Sequence, residues 1–222
     1  MTTYRIFDQN RASRDFSTQF FDFHGYTAAD WVVTLVGTTP TVAVVDGVVG
    51  GALLLTEAAT DNSQSTLQYA GGSGAVKREY AFIAGKKLQF TSRVQASHAV
   101  QSDVIAGLMS VSTDPIGTPP TDGIFFRKDD ETARWWFVAR KAGVETKLDT
   151  QTDMVAGTNY DLEFYYDGSH NTIAAYINQV KVGSLPTSAL PTAFLALSFG
   201  AQNGDANSRT FQFDFVGAQQ QR

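Results

Sequence analysis

Apolar and polar residues alternate with a period of two from about residue 31 to the end of the chain, as strands with one buried and one open face require. Residues 31–36 read as a strand stopped by Gly37, residues 41–45 as a second closed by Asp46-Gly47, and residues 52–56 as a third. A polar loop holding Asp61, Asn62 and Ser63 follows. Residues 75–83 and 87–96 flank Ala84-Gly85, a connection of the hairpin sort. Leu88, Phe90 and Val94 share one parity, and Ser92 interrupts their row, so its hydroxyl is expected to need a partner. Further strands are predicted at 104–111, 123–128, 135–140, 146–150, 160–166, 172–177, 180–184, 193–202 and 210–216. Between them lie a proline-rich loop at 114–120 and turns at 128–131, Ala142-Gly143, 167–169, Asn178-Gln179 and 203–205. About thirteen strands at spacings of roughly 8–14 residues predict an all-β, two-sheet antiparallel β-sandwich with few or no helices. Only 28–30 and 187–190 suggest short helical turns, and no internal repeat points to a solenoid or propeller.

The 222 residues hold no stretch that reads as a linker, so one core is expected. Residues 1–15, with Arg5, Asp8, Arg11, Arg14 and Asp15, lack apolar periodicity. They are expected to be either a frayed end or an arm that orders only against a neighbouring subunit. The expected organisation is an N-terminal arm over 1–15, a single sandwich over 16–218 and a polar tail over 219–222. Aromatic residues make up 12% of the chain and charged residues 18%, which favours pleated sheet over disorder. The net charge of -5 argues against a nucleic-acid partner, because phosphate contact needs a basic excess. With no cysteine, disulfides, thiolate metal sites and thiol nucleophiles are excluded. The first residues carry no apolar core of a secretory signal, and no apolar run approaches the roughly 18 residues that span a bilayer. Synthesis in a cytoplasm and no membrane contact are expected.

Candidate chemistry is sparse. Asp161 and Glu163 share a strand face, the even spacing that a two-carboxylate glycosidase needs, but the next position of that parity is Tyr165. Asp129, Asp130 and Glu131 form a hairpin tip. His24, His98 and His170 fall in separate segments without metal-ligand spacing. The Gly71-Gly-Ser-Gly74 run lacks the full nucleophile motif. Calcium is the metal worth weighing, at Asp61 and Asn62 or at Asn203, Asp205 and Asn207, against ordinary turn chemistry. No catalytic residue, metal or cofactor is therefore expected, and the chain is not expected to be an enzyme. The adjacent pairs Trp135-Trp136, Phe20-Phe21 and Phe125-Phe126 must each send rings to both faces. Partner contact, internal packing and ligand stacking remain open for them, with Trp135 and Trp136 the candidates for a glycan.

The runs Gly123-Ile-Phe-Phe-Arg-Lys-Asp-Asp130, Trp136-Phe-Val-Ala-Arg-Lys141, Phe164-Tyr-Tyr-Asp-Gly168, Ile177-Asn-Gln-Val-Lys-Val-Gly183 and Phe199-Gly-Ala-Gln-Asn-Gly204 are distinctive in this order. Together with Phe20-Phe-Asp-Phe23, Asp30-Trp31, Ala58-Ala-Thr-Asp-Asn62, Ala84-Gly-Lys-Lys-Leu88 and Val100-Gln-Ser-Asp103, they cover residues 20–218. The set resembles tailed-bacteriophage capsid decoration, or cement, proteins with a laminin-G or concanavalin A-like jelly roll. The resemblance implies a structural protein on the capsid exterior, bound to the major capsid protein as a homo-oligomer, with a trimer favoured. The expected contacts with shell or sister subunit are Tyr4, Arg5, Phe7, Arg11, Arg14, Phe20, Phe21 and Phe23. A carbohydrate-binding module is the alternative.

Overall fold

A computed structural model describes residues 15–37, 39–45 and 47–222. Among them, fifteen strands form. The first seven are β1 (Phe16–Phe21), β2 (Trp31–Val36), β3 (Thr41–Val44), β4 (Leu53–Glu57), β5 (Gln64–Tyr69), β6 (Leu88–Ala96) and β7 (Ser102–Met109). Next come β8 (Gly123–Lys128), β9 (Arg134–Lys141), β10 (Val144–Asp153) and β11 (Tyr160–Tyr166). The last are β12 (Thr172–Ile177), β13 (Val180–Pro186), β14 (Ala196–Asn203) and β15 (Arg209–Gln221). Among the described residues helix is confined to 3-10 turns at Ala28–Asp30 and Thr187–Ala189, where the sequence suggested short helical turns.

The strands make two antiparallel sheets. The larger runs β13-β12-β11-β6-β15-β4-β3, with β1 also on β15, and the smaller runs β10-β9-β8-β7-β14-β5-β2. Tight turns set the register of consecutive strands. Asn178 and Gln179 both take positive φ between β12 and β13, as do Ala142 and Gly143 between β9 and β10, matching the twist of a two-residue hairpin. Strand β15 is long enough to hold β4 along residues 209–213 and β1 along 216–221, with β6 on its other edge.

The predicted alternation fills the space between the sheets. The larger sheet contributes Phe90, Val94, Leu162, Phe164, Phe211 and Phe213. Leu67, Leu108, Phe126, Phe137, Leu197 and Phe199 come from the smaller one. Phe199 and Phe213 meet across the sandwich with centroids 4.6 Å apart, and Phe137 and Phe164 at 5.7 Å. Burying each such side chain stabilises the fold by about 1.5–3 kcal/mol.

Polar groups also lie inside. The parity of β8 turns Lys128 inward with Ile124 and Phe126, and its ammonium donates to the Val100 carbonyl at 2.7 Å, the Ser102 hydroxyl at 3.0 Å and the Ser102 carbonyl. Burial lowers this lysine to about 8. Glu57 follows Leu53 and Leu55 on the inner face of β4 and is fully buried. It accepts from the Ser63 hydroxyl at 3.2 Å, while its Oε1 has no partner. Burial pushes its carboxyl up to about 7, outweighing the lowering effect of the Ser63 bond. The Ser92 hydroxyl, for which a partner was expected, has none among the described residues.

Four segments differ from the sequence reading. Residues 75–83 are not a strand, and only Tyr80 bridges to Leu195. The Gln220 side chain takes the place of a neighbouring strand there, accepting from Ala81 N at 2.9 Å and donating to Ala81 O at 2.7 Å. Strands β1 and β5 form where none was predicted, because Gln64-Ser-Thr-Leu-Gln-Tyr69 carries little apolar signal of its own. Residues 219–221, read as a polar tail, extend β15 and pair with β1 through Phe16–Gln221 and Thr18–Gln219.

Two stability measurements check this account. Phe213→Ala should cost about 3–5 kcal/mol in denaturant unfolding, as expected for a ring removed from a closed core. Because the folded Glu57 carboxyl binds its proton to about 7 and an unfolded one only to about 4.3, its contribution is full at acidic pH and lost as pH rises through 7. The melting temperature should therefore fall between pH 5 and 8, and Glu57→Gln should flatten that slope and raise the value at pH 8.

Candidate functional site

The outer face of the larger sheet follows from the residues left over by the core. On β11, Tyr160, Leu162, Phe164 and Tyr166 point inward, so Asp161, Glu163 and Tyr165 point out. The register sets one row across five strands. Tyr176 lies opposite Glu163, Glu163 opposite Thr91, Thr91 opposite Gly217 and Gly217 opposite Phe20. A Cβ on Gly217 would lie 2.7 Å from Phe20 Cδ2, so a glycine lets the ring lie close over β15. Phe20 is 48% exposed and packs against Phe215 with centroids 5.6 Å apart and ring planes tilted by 30°, and the Arg93 guanidinium lies 5.2 Å from the Phe215 ring.

Charges on this face are unequally satisfied. Arg93 donates to Asp161 through Nε at 2.6 Å and through a terminal nitrogen at 3.1 Å, and its other terminal nitrogen reaches Asp214 at 3.1 Å. The Asp161 hydrogen bond holds this arginine above its ordinary value. Glu163, next on the same strand face, is only 8% exposed and has no hydrogen bond or ion pair among the described residues. Burial, and secondarily the nearby Asp161 charge, pushes its carboxyl up to about 7. The facing Thr91 hydroxyl is buried and also lacks a partner.

The predicted contact residues therefore separate. Phe20 is open. Phe21 turns inward, 4.9 Å from Trp31 and 5.2 Å from Tyr69, because β1 alternates. Phe23 takes a φ of 59° after the strand and is buried 5.7 Å from Phe199. Phe23 belongs to the buried core, and Phe21 packs partly buried against it. Tyr4, Arg5, Phe7, Arg11 and Arg14 lie outside the described residues.

The outer face of the smaller sheet is differently built. Trp135 is fully buried in the core and its Nε1 has no partner, so it is not a stacking platform. Trp136 faces out, with the Lys147 ammonium 4.3 Å from its ring centroid. Beside it a second apolar cluster of Ile105, Met109, Phe125 and Val138 is packed by Ile116. The segment carrying Ile116 is fastened at both sides. Gln68 donates to Ser110 O at 3.1 Å and accepts from Ser112 N at 3.0 Å, and Arg140 Nε donates to Pro120 O at 2.8 Å.

Acids on that face are tied down. Glu145 receives Arg127 at 2.9 and 3.1 Å and Arg140 at 3.1 Å, while Arg134 reaches Asp149 at 2.8 Å and Asp153 at 2.6 Å. Burial opposes ionisation of Glu145, but Arg127 and Arg140 outweigh it and hold the carboxyl below its usual range. Asp103 accepts from Asp130 N at 2.8 Å, and burial pushes it up to about 6.

The oxygens weighed for calcium serve local turns. Asp205 binds Asn207 and Arg209, and the Asn203 amide donates to Ala58 O at 2.6 Å, Asp205 O at 3.0 Å and Asn207 O at 3.1 Å. His98 Nδ1 accepts from Gln101 N at 2.9 Å, and His170 pairs with Asp167. Among the described residues no group of three or more His, Cys, Asp or Glu side chains is placed to hold a metal ion.

No family profile matches the sequence, and no curated protein matches it. Solved structures do match in fold. An endo-1,3-β-glucanase from Streptomyces sioyaensis superposes with a TM-score of 0.66 at 12% identity, over 94% of this chain and 98% of its own. A β-glucanase from Bacillus licheniformis gives 0.61 at 16% identity, over 90% and 97%. A protein of unknown function from Shewanella oneidensis MR-1 gives 0.64 at 11% identity, over 94% and 88%. The chain has the concanavalin-like jelly roll of these glucanases. The expectation that it is not an enzyme is thereby overturned: its architecture is one that glycan-active enzymes use, so a scaffold cannot be inferred from the sandwich.

Proposed function

We propose that this chain is a virion structural protein that decorates an assembled phage capsid and braces it by bridging neighbouring subunits of the major capsid protein. The observation that carries this reading is the outer face of the larger sheet, where half-exposed Phe20 packs against Phe215 beside Arg93, Asp161, Asp214 and Glu163. Aromatic rings with hydrogen-bonding groups around them suit a protein surface, whose contacts have an apolar centre and a polar rim. The likeness of residues 20–218 to capsid decoration proteins supports the same reading. The opposite outer face supports it indirectly, because its apolar cluster is packed by Ile116 from this chain. A protein that binds only the assembled lattice stabilises it by mass action. A homo-oligomer, a trimer by preference, on the capsid exterior would add single contacts through effective concentration.

A second reading is contact with a polysaccharide, favoured by Trp136 on the outer face of β9 and by the fold shared with two glucanases.

Sedimentation with purified empty heads tests the first reading. The parent protein should pellet with heads at a fixed ratio to shell subunits, and Phe20→Ala with Phe215→Ala should weaken binding at least about tenfold, or 1.4 kcal/mol. A parent protein that stays in the supernatant ends it. For the second reading, binding on a glycan array or cleavage of a β-glucan should be lost in Trp136→Ala. An array and a substrate panel to which the parent is blank end that one.

A further inference from the structure

Asparagine followed by glycine readily loses its side-chain amide, because glycine leaves the next backbone nitrogen unhindered and mobile. The sequence holds one such step, Asn203-Gly204, where β14 ends. The fold demands both residues. Asn203 is fully buried and all its polar groups are used. Its backbone N–H donates to Ser63 O at 3.0 Å, its carbonyl accepts from Asn62 N at 3.1 Å, and its Oδ1 accepts from Ser63 N at 2.8 Å. The side-chain amide donates to the Ala58, Asp205 and Asn207 carbonyls. Gly204 is required for a different reason: a Cβ there would fall on the Asp130 carboxylate. These same contacts keep the step inert. Attack on the side chain needs the backbone at Asn203 to leave the extended form of β14. It also needs the Gly204 N–H, which donates to Gln101 O at 3.3 Å, to be freed.

We propose that Asn203-Gly204 is a self-modification site, shut in the folded protein and released when the 58–63 and 204–208 loops part from the end of β14. The Gly204 nitrogen gives up its proton and bonds to Asn203 Cγ, the Cγ–Nδ2 bond breaks, and ammonia departs to leave a succinimide ring. Water then opens that ring at either carbonyl, giving aspartate or isoaspartate. Neither product fits the place of the parent. Aspartate leaves the Ala58, Asp205 and Asn207 carbonyls without their donor and sets a buried negative charge against them. Isoaspartate adds a methylene to the backbone and disturbs the pairing of residue 203 with Ser102. Opening at this end of the sandwich is thereby converted into a covalent, one-way loss of the fold, at a rate set by the time spent open. The site is independent of whatever the outer faces bind.

Mass spectrometry of tryptic peptides from the full chain tests this. Residues 182–209 form a single peptide that also carries Asn207, an exposed asparagine followed by serine, as an internal reference. In denaturant at mildly alkaline pH, Asn203 should deamidate at least about tenfold faster than Asn207, and Gly204→Ala in the same denaturant should remove that lead. In the folded parent, Asn203 should react at least about a hundredfold more slowly than in denaturant, because the reaction waits on the open fraction. After partial reaction and removal of the denaturant, the refolded pool should hold intact Asn203, and the protease-sensitive pool the modified chains. Equal rates in folded and unfolded protein, no lead over Asn207, a Gly204→Ala chain that reacts as the parent does, or modified chains that refold as fully as intact ones would overturn the proposal.

Discussion

The β-bulge in β15 sets both the core and the outer face of the larger sheet. Before it, Phe211 and Phe213 face inward; after it, Val216 and Ala218 do. Inward Phe213 and Val216 have two residues between them rather than one, so one extra residue has been absorbed and the side-chain parity inverted. An unbroken strand would carry Phe215 into the sandwich beside Phe213. Instead Phe215 points to the outer face, packs against Phe20 and lies under Arg93. The same bend lets one strand hold β4 along its first half and β1 along its second.

That inversion also marks the limit of what the sequence discloses. The alternation of Leu88, Phe90 and Val94, or of Leu162 and Phe164, is readable because each strand has one apolar row and one polar row. Phe211, Phe213 and Phe215 form a perfect apolar row in the sequence, and nothing local says that the third is turned away. Strand β5 is hidden for the opposite reason: its outward Gln64, Thr66 and Gln68 and its inward Ser65 leave Leu67 almost alone as an apolar marker. Residues 75–83 have the right alternation but are bound by the Gln220 side chain, a long-range contact that periodicity cannot encode. Of the candidate contacts, Phe20 could be separated from Phe21 only once a strand was assigned there. Glu163 was visible as an acid sharing a face with Asp161. Its lack of a partner was not, since that depends on Arg93 from another strand choosing Asp161 and Asp214.

The two outer faces show how one jelly roll can be adapted in different directions. On the smaller sheet, the chain covers itself: Ile116 packs a secondary apolar cluster, Gln68 and Arg140 fasten the covering segment, and arginines claim the acids of β10. On the larger sheet, half-exposed Phe20 lies against Phe215, and Arg93 serves both Asp161 and Asp214. A fold shared with glucanases therefore does not by itself decide which face meets a partner.

Lys128 shows a further economy in the design of the sandwich. Its ammonium is gripped by oxygens of Val100 and Ser102 in the way a small ion would be, yet this ion is carried on a covalent tether. Such a charge cannot diffuse away, be chelated or be exchanged for another species. The junction between the loop before β7 and the end of β8 is thus fastened without any exchangeable ion.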